Sequence, residues 1–156
     1  MSNNYFEQLK QSFLVTYAAD LCEESLADIA NAKTVAAFIA VLHKYLHFLN
    51  YKAVPTAEWA REWFGRYLDE ANANGVYLDQ IIALDDTHPS VVLLGRCVVN
   101  AVLVKSKTTC FTLQDESSLS LVTYGTANAT VRLKSPQCTC EKIHCSPYSR
   151  IKIRRV

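Results

Sequence analysis

Cys138, Cys140, His144 and Cys145 gather, within eight residues, side-chain types that hold zinc. Structural zinc takes four thiolate or imidazole ligands at tetrahedral corners, usually from two knuckles of C-x2-4-C spacing. Here the first pair is C-x-C and the second an adjacent His-Cys, so neither half has knuckle spacing. On a strand, Cys138 and Cys140 point to one face, in line with Leu119/Leu121 and Ala129/Val131. Reduced cysteine packs as a small hydrophobe, so core filling outweighs metal binding as the expectation, and no cofactor is expected.

Other chemistry-bearing groups are equally short of a complete site. His43 and His47 stand one helical turn apart, but Lys44 occupies the place of the glutamate in an H-E-x-x-H motif, and its charge opposes a metal. They suit the edge of an apolar helix face. Asp85, Asp86 and His88 precede Pro89. Acid-base work by these three needs a pocket that shifts their pKa values, whereas Asp-Asp-Thr-His-Pro reads directly as a turn. The acids of the later chain are limited to Asp115, Glu116 and Glu141. Carbohydrate processing would require two of them close together in a groove. The chain has no G-x-S-x-G elbow, phosphate-binding glycine loop or dinucleotide fingerprint, and only four glycines. No enzyme is expected.

Charge supplies a further candidate. Residues 1–90 carry twelve acids and six bases, whereas residues 131–156 carry seven bases and one acid, Glu141. The terminal run Ser149-Arg-Ile-Lys-Ile-Arg-Arg-Val156 alternates basic and apolar residues. A strand therefore sets Arg150, Lys152 and Arg154 on one face and Ile151 and Ile153 on the other, with Arg155 following. Such a face can track a phosphate backbone or meet an acidic protein surface, including the chain's own acidic half in another copy. Charges on an outer strand also discourage unwanted pairing, and that role is favoured.

The elements that must carry these residues fall into two halves, 1–75 and 76–156, expected to share one continuous core. The first half reads as three helices. Asn4 and Glu7 stand at capping-box spacing ahead of a stripe formed by Phe6, Leu9, Phe13, Tyr17, Leu21 and Leu26. A second helix follows Thr34 through Val35, Phe38, Ile39, Leu42, Tyr45, Leu46 and Leu49, apolar around most of its early circumference and so the most buried. Pro55 and Thr56 open a third, with Trp59, Trp63, Phe64, Tyr67 and Leu68, which Asn74-Gly75 closes through a left-handed cap.

After Gly75, helical spacing gives way to short alternations. Strands are predicted over 91–94, 98–104, 110–113, 119–122, 129–133, 138–140 and 150–153. Their recurrence about every ten residues fits a solenoid or an antiparallel meander. The connections lack the Asn-Gly or Asp-Gly pair of tight hairpins, which favours the solenoid. Repeated units of a small polar residue followed by paired apolar residues (Ser118 with Leu119/Leu121, Asn128 with Ala129/Val131, Gln137 with Cys138/Cys140) are what stacked rungs need.

The run NGVYLDQIIAL, then VVLLGRC, then SSLSLVTYG and NATVRLKS resembles a group of uncharacterised proteins of gut Bacteroidales and their prophages. The likeness spans residues 74–135 and, more loosely, PTAEWAREWF. It implies an α+β protein in which helices cap a short right-handed β-solenoid, and it brings no activity and no catalytic residues.

The N-terminus lacks the basic start and long apolar run of a secretion signal, and the longest apolar run, 35–42, is far short of the roughly 20 residues that span a bilayer. A cytoplasmic location, six reduced thiols and no membrane association are the expectations. The function expected is that of a non-catalytic structural or protein-interaction protein, with self-association as one outcome. A nucleic-acid accessory protein and a carbohydrate-binding small β-helix are the alternatives.

Overall fold

The computed structural model describes residues 2–45 and 54–156, with side chains from residue 4 onward. The chain divides into two compact units, Met1–Asn74 and Gly75–Val156.

In the first unit, helices α1 (Ser2–Tyr17), α2 (Glu23–Asn31), α3 (Val35–Tyr45), α4 (Ala57–Trp63) and α5 (Leu68–Ala73) enclose an aromatic core. Five described helices thus stand where the pattern predicts three. The first predicted helix breaks at Leu21 and Cys22, both extended, where the Ser25 hydroxyl donates to the Cys22 carbonyl at 2.8 Å. A short side-chain bond to nearby backbone of this kind competes with the helical ladder. The third breaks at a 3-10 turn, Phe64–Arg66, built around Gly65, the residue least suited to a helix interior. Helix α1 already starts at Ser2, so Asn4 lies inside it rather than capping it, and Glu7 pairs instead with Lys10 at 2.9 Å. The Thr56 side chain does cap α4, accepting from the Trp59 N–H at 3.2 Å, and Gly75 has the left-handed φ of +80° expected after α5.

Phe13, Phe38, Trp59 and Phe64 are buried and meet mostly edge to face, with centroids 5.2 Å apart for Phe13–Phe38 and 5.4 Å for Trp59–Phe64. The ring quadrupole favours that geometry. Helix α3 carries five buried residues, Val35, Phe38, Ile39, Leu42 and Tyr45. Leu46 and Leu49, assigned to the same helix from the pattern, lie outside the described residues.

The second unit is a β-solenoid of about four turns. Its nine strands are β1 (Val76–Leu78), β2 (Ile81–Leu84), β3 (Ser90–Leu94), β4 (Val98–Leu103), β5 (Thr108–Leu113), β6 (Ser118–Thr123), β7 (Asn128–Leu133), β8 (Thr139–Cys145) and β9 (Ile151–Arg155). Odd strands form one sheet, β1-β3-β5-β7-β9, and even strands a second, β2-β4-β6-β8. Every pairing is parallel, which excludes the antiparallel meander. Each strand pairs with the next but one, so a coil holds two strands, and partners such as Ser90 and Cys110 or Val98 and Ser118 stand 20 residues apart.

In that topology the repeated apolar pairs Leu119/Leu121 and Ala129/Val131 do not stack directly on each other: they belong to opposite sheets and face each other across the core. Inward columns run Leu93–Leu113–Leu133, Val91–Phe111–Val131 and Val99–Leu119–Cys140. Phe111, Leu113, Leu121 and Val131 are fully buried. Each such side chain contributes about 1.5–3 kcal/mol from apolar burial.

One corner of the coil repeats a left-handed residue. Asp79, Gly95 and Asp115, equivalent in successive coils, have φ of 52°, 72° and 59°. Glycine meets this at no steric cost, and aspartate tolerates it better than most residues. At the other corner Asp86 is buried, and its Oδ2 accepts from the Val104 and Lys105 N–H groups at 2.7 and 2.6 Å. Burial alone would raise its pKa, but these two backbone donors outweigh it and the net shift is downward. With the folded pKa below the unfolded value, its stabilisation is complete above about pH 4 and is lost as pH falls further. Asp86→Ala should destabilise the protein by about 2 kcal/mol at pH 7 in urea unfolding, because it strands two backbone donors, and the difference from wild type should shrink below about pH 3.

Candidate functional site

The described residues contain no group of three or more His, Cys, Asp or Glu side chains placed to hold a metal. Cys138 is not on a strand: it sits at the first corner, opposite Ser117, while β8 begins at Thr139 and places Cys140 against Leu119. It is fully buried, with Sγ 3.4 Å from the Asp115 carbonyl and 3.1 Å from the Ser135 hydroxyl. Cys140 faces the core, and burial pushes its thiol up to about 11 against a smaller opposing effect of Lys142. His144 and Cys145 lie exposed on β8, and the His144 ring rests 5.2 Å from that of Tyr124.

Of the other candidates, His43, Asp85, Asp86, Asp115 and Glu116 are engaged in structural bonds. The His43 Nε2–H donates to the Asn74 carbonyl at 2.7 Å, and His47 lies outside the described residues. The Asp85 carboxylate accepts from the Thr87 hydroxyl and the Thr87 N–H, which hold its pKa down, while Asp86 serves the second corner. His88 is half-buried beside Gly75. Asp115 accepts from the Gly95 N–H at 2.9 Å, and Glu116 pairs with Arg96 at 3.3 Å. Glu141 continues the outward column of Asn100 and Ser120.

The terminal strand is organised differently. In β9, Ile151 and Ile153 oppose Ala129 and Val131 and face inward, while Lys152 and Arg154 oppose Thr130 and Arg132 on the outer face. Arg150 immediately precedes β9 and is tied to β7 through its N–H, which donates to Asn128 Oδ1 at 2.8 Å. Burial, with the neighbouring Arg132 charge adding to it, pushes Lys134 down to about 8. These cations gather on one outer sheet face, where like charges repel.

Arg155 parts company with them. It occupies the inward column after Leu133, and its guanidinium donates to the carbonyls of Ser135, Pro136 and Cys138 at 3.1, 3.5 and 3.1 Å. In earlier coils that corner is served from the following coil: Ser117 Oγ donates to Gly95 O, and Ser135 Oγ and Cys138 Sγ donate to Asp115 O. Arg155 therefore does for the last corner what a following coil does for the others. Alternation identified Arg150, Lys152 and Arg154 as a face, but the corner role of Arg155 needs the register to be known.

The two strands of the last coil also differ at their outer edges. In β8 the register slips between Leu121 and Val122, leaving Ile143 as an extra residue, and Lys142 falls in the inward column after Leu121. Strand β9 pairs residue for residue from Ile151 to Arg155. A polar cleft of about 180 Å3, lined by Thr108, Asn128, Thr130, Arg150 and Lys152, lies at its start. A groove of about 420 Å3, lined by Leu133, Ser135, Pro136, Arg155 and Val156, lies at its end.

No family model, curated protein or solved structure matches the chain.

Thiol chemistry discriminates packing from ligation at the cysteine-rich segment. Cys22 and Cys145 are exposed, whereas Cys97 and Cys138 are buried and Cys97 is pushed up in pKa by burial. With a thiol reagent at pH 8, Cys22 and Cys145 should react at least about tenfold faster than Cys97, Cys138 and Cys140. Adding EDTA should change neither these rates nor Tm; a lower Tm with faster labelling of Cys138 and Cys140 would show a structural metal.

Proposed function

We propose that the protein is a non-catalytic interaction module whose working surface is the last coil of the solenoid, presented to an acidic partner. The observation that carries this is the concentration of Arg132, Arg150, Lys152 and Arg154 on and beside one exposed sheet face, without a carboxylate in the opposing register positions. Clustered cations on a flat parallel sheet raise the association rate of an oppositely charged partner and select against a like-charged one. The absence of chemistry in this proposal rests on the engagement of Asp85, Asp86, Asp115 and Glu116 in corner bonds and ion pairs. The six free thiols support a reducing compartment such as the cytoplasm. Among the described residues no helix is long and apolar enough to cross a membrane.

Poly-L-glutamate should bind the full chain at low ionic strength, with affinity falling as salt is added. The double reversal Lys152→Glu/Arg154→Glu should weaken that binding by at least roughly tenfold without lowering Tm by more than a few degrees, since both side chains are exposed. Equal binding by the folded variant and wild type would remove this surface from consideration.

A further inference from the structure

We infer that the outer edge of β9 receives an added β-strand from a partner protein, and that the incoming segment alternates acidic and apolar residues. This inference rests on the proposed interaction surface and specifies its ligand.

Backbone polarity comes first. The Arg150 carbonyl accepts from the Ala129 N–H, and the Val156 N–H donates to the Leu133 carbonyl, so even-numbered residues of this segment face β7. A parallel ladder alternates sides with each residue. Ile151, Ile153 and Arg155 therefore turn their N–H and C=O groups to the side away from β7, where no described strand pairs with them. An extended segment lying there gains main-chain hydrogen bonds in either direction.

Of the two strands in the last coil, only β9 is fit for this. The slipped register at Ile143 spoils β8 as a template, as bulges do on protected edges. Strand β9 has no such interruption.

Side-chain columns then dictate the partner. A strand added about 4.8 Å from β9 continues its columns, since directly opposed residues share a face. Beside Lys152 and Arg154 the incoming residues must be acidic, because two cations already abut Thr130 and Arg132 across the ladder. Beside Ile151 and Ile153 they must be apolar: Ile153 is 37% exposed and still lies in the core column of Val131. A second copy of β9 is a poor occupant, because it would set Lys152 and Arg154 against their own counterparts.

The test uses the full chain and four fluorescent probes: a peptide alternating Glu and Val over roughly seven residues, a block peptide of the same composition, poly-L-glutamate, and a single-stranded DNA oligonucleotide. The alternating peptide should bind at least roughly tenfold more tightly than the block peptide. Ile153→Pro removes an outward N–H while sparing the bonds to β7, so it should weaken the alternating peptide about tenfold and leave poly-L-glutamate unchanged. If that variant does not fold, peptides N-methylated at alternate residues make the same comparison, and one of the two methylation registers should lose binding. Equal affinity for alternating and block peptides would overturn strand addition while leaving the basic surface intact. Tighter binding of the oligonucleotide than of the alternating peptide would overturn it in favour of nucleic acid. If no acidic probe binds, both the inference and the interaction surface fall.

Discussion

A parallel solenoid has no local hydrogen-bonding solution: every strand must find its partner a full coil away, and the corners between strands hold backbone groups outside the regular strand ladder. Here the corner carbonyls of Gly95 and Asp115 are met by short side chains of the next coil, Ser117 for the first and Ser135 with Cys138 for the second, and Gly95 also accepts from the Glu116 N–H. A buried carbonyl left without a donor costs about 1–3 kcal/mol, comparable to what a single apolar side chain contributes by burial. The corner column is therefore as much a condition of stacking as the inward leucines. Its members must be small enough for the tight turn and must carry a donor, a condition that hydroxyls meet at Ser117 and Ser135 and thiols at Cys97 and Cys138.

That condition separates what the residues disclose from what they conceal. Alternation in Ser118–Thr123 and Asn128–Leu133 announces strands, and the lack of hairpin turns points toward stacking. Whether β7 lies beside β6 or beyond it is invisible to a period of two, because both arrangements bury the same side chains. The parallel partner of Leu119 is Val99, 20 positions back and separated from it by a complete strand of the other sheet. Short strands hide for a related reason. In β1, all three residues are buried, so Val76–Leu78 shows no alternation at all. In β8 the extra residue Ile143 shifts the inward-outward phase midway, which obscured the strand beyond Cys140. The helical breaks were concealed because an apolar stripe continues across a turn when both flanking helices bury the same side.

The candidate groups divide along the same line. Cys138 and Cys140 invite attention by their spacing, yet they fill different positions, a corner and a strand, because β8 begins between them. Asp86 stood beside a more exposed twin, Asp85, with nothing in the sequence to say which carboxylate caps a neighbouring coil. Charge alone groups Arg155 with the other terminal bases, because charge is legible in a sequence and register is not. Its three carbonyl contacts follow from falling in the Leu133 column, one position out of phase with Lys152 and Arg154.

The last coil has two demands that pull in opposite directions. Its open edges must not pair with copies of themselves, yet a completely blocked end could not bind through its backbone. The two sheets resolve this separately. Strand β8 is distorted by the extra residue Ile143, so its edge is a poor template for any strand. Strand β9 keeps regular geometry and relies on charge alone, which repels a second β9 but attracts an acidic strand. Discrimination by charge is reversible by the partner's composition, whereas discrimination by a bulge is not. Arg155 fits both demands at once: its side chain closes the corner below, while its backbone, by the alternation of the ladder, stays turned to the open side of the sheet.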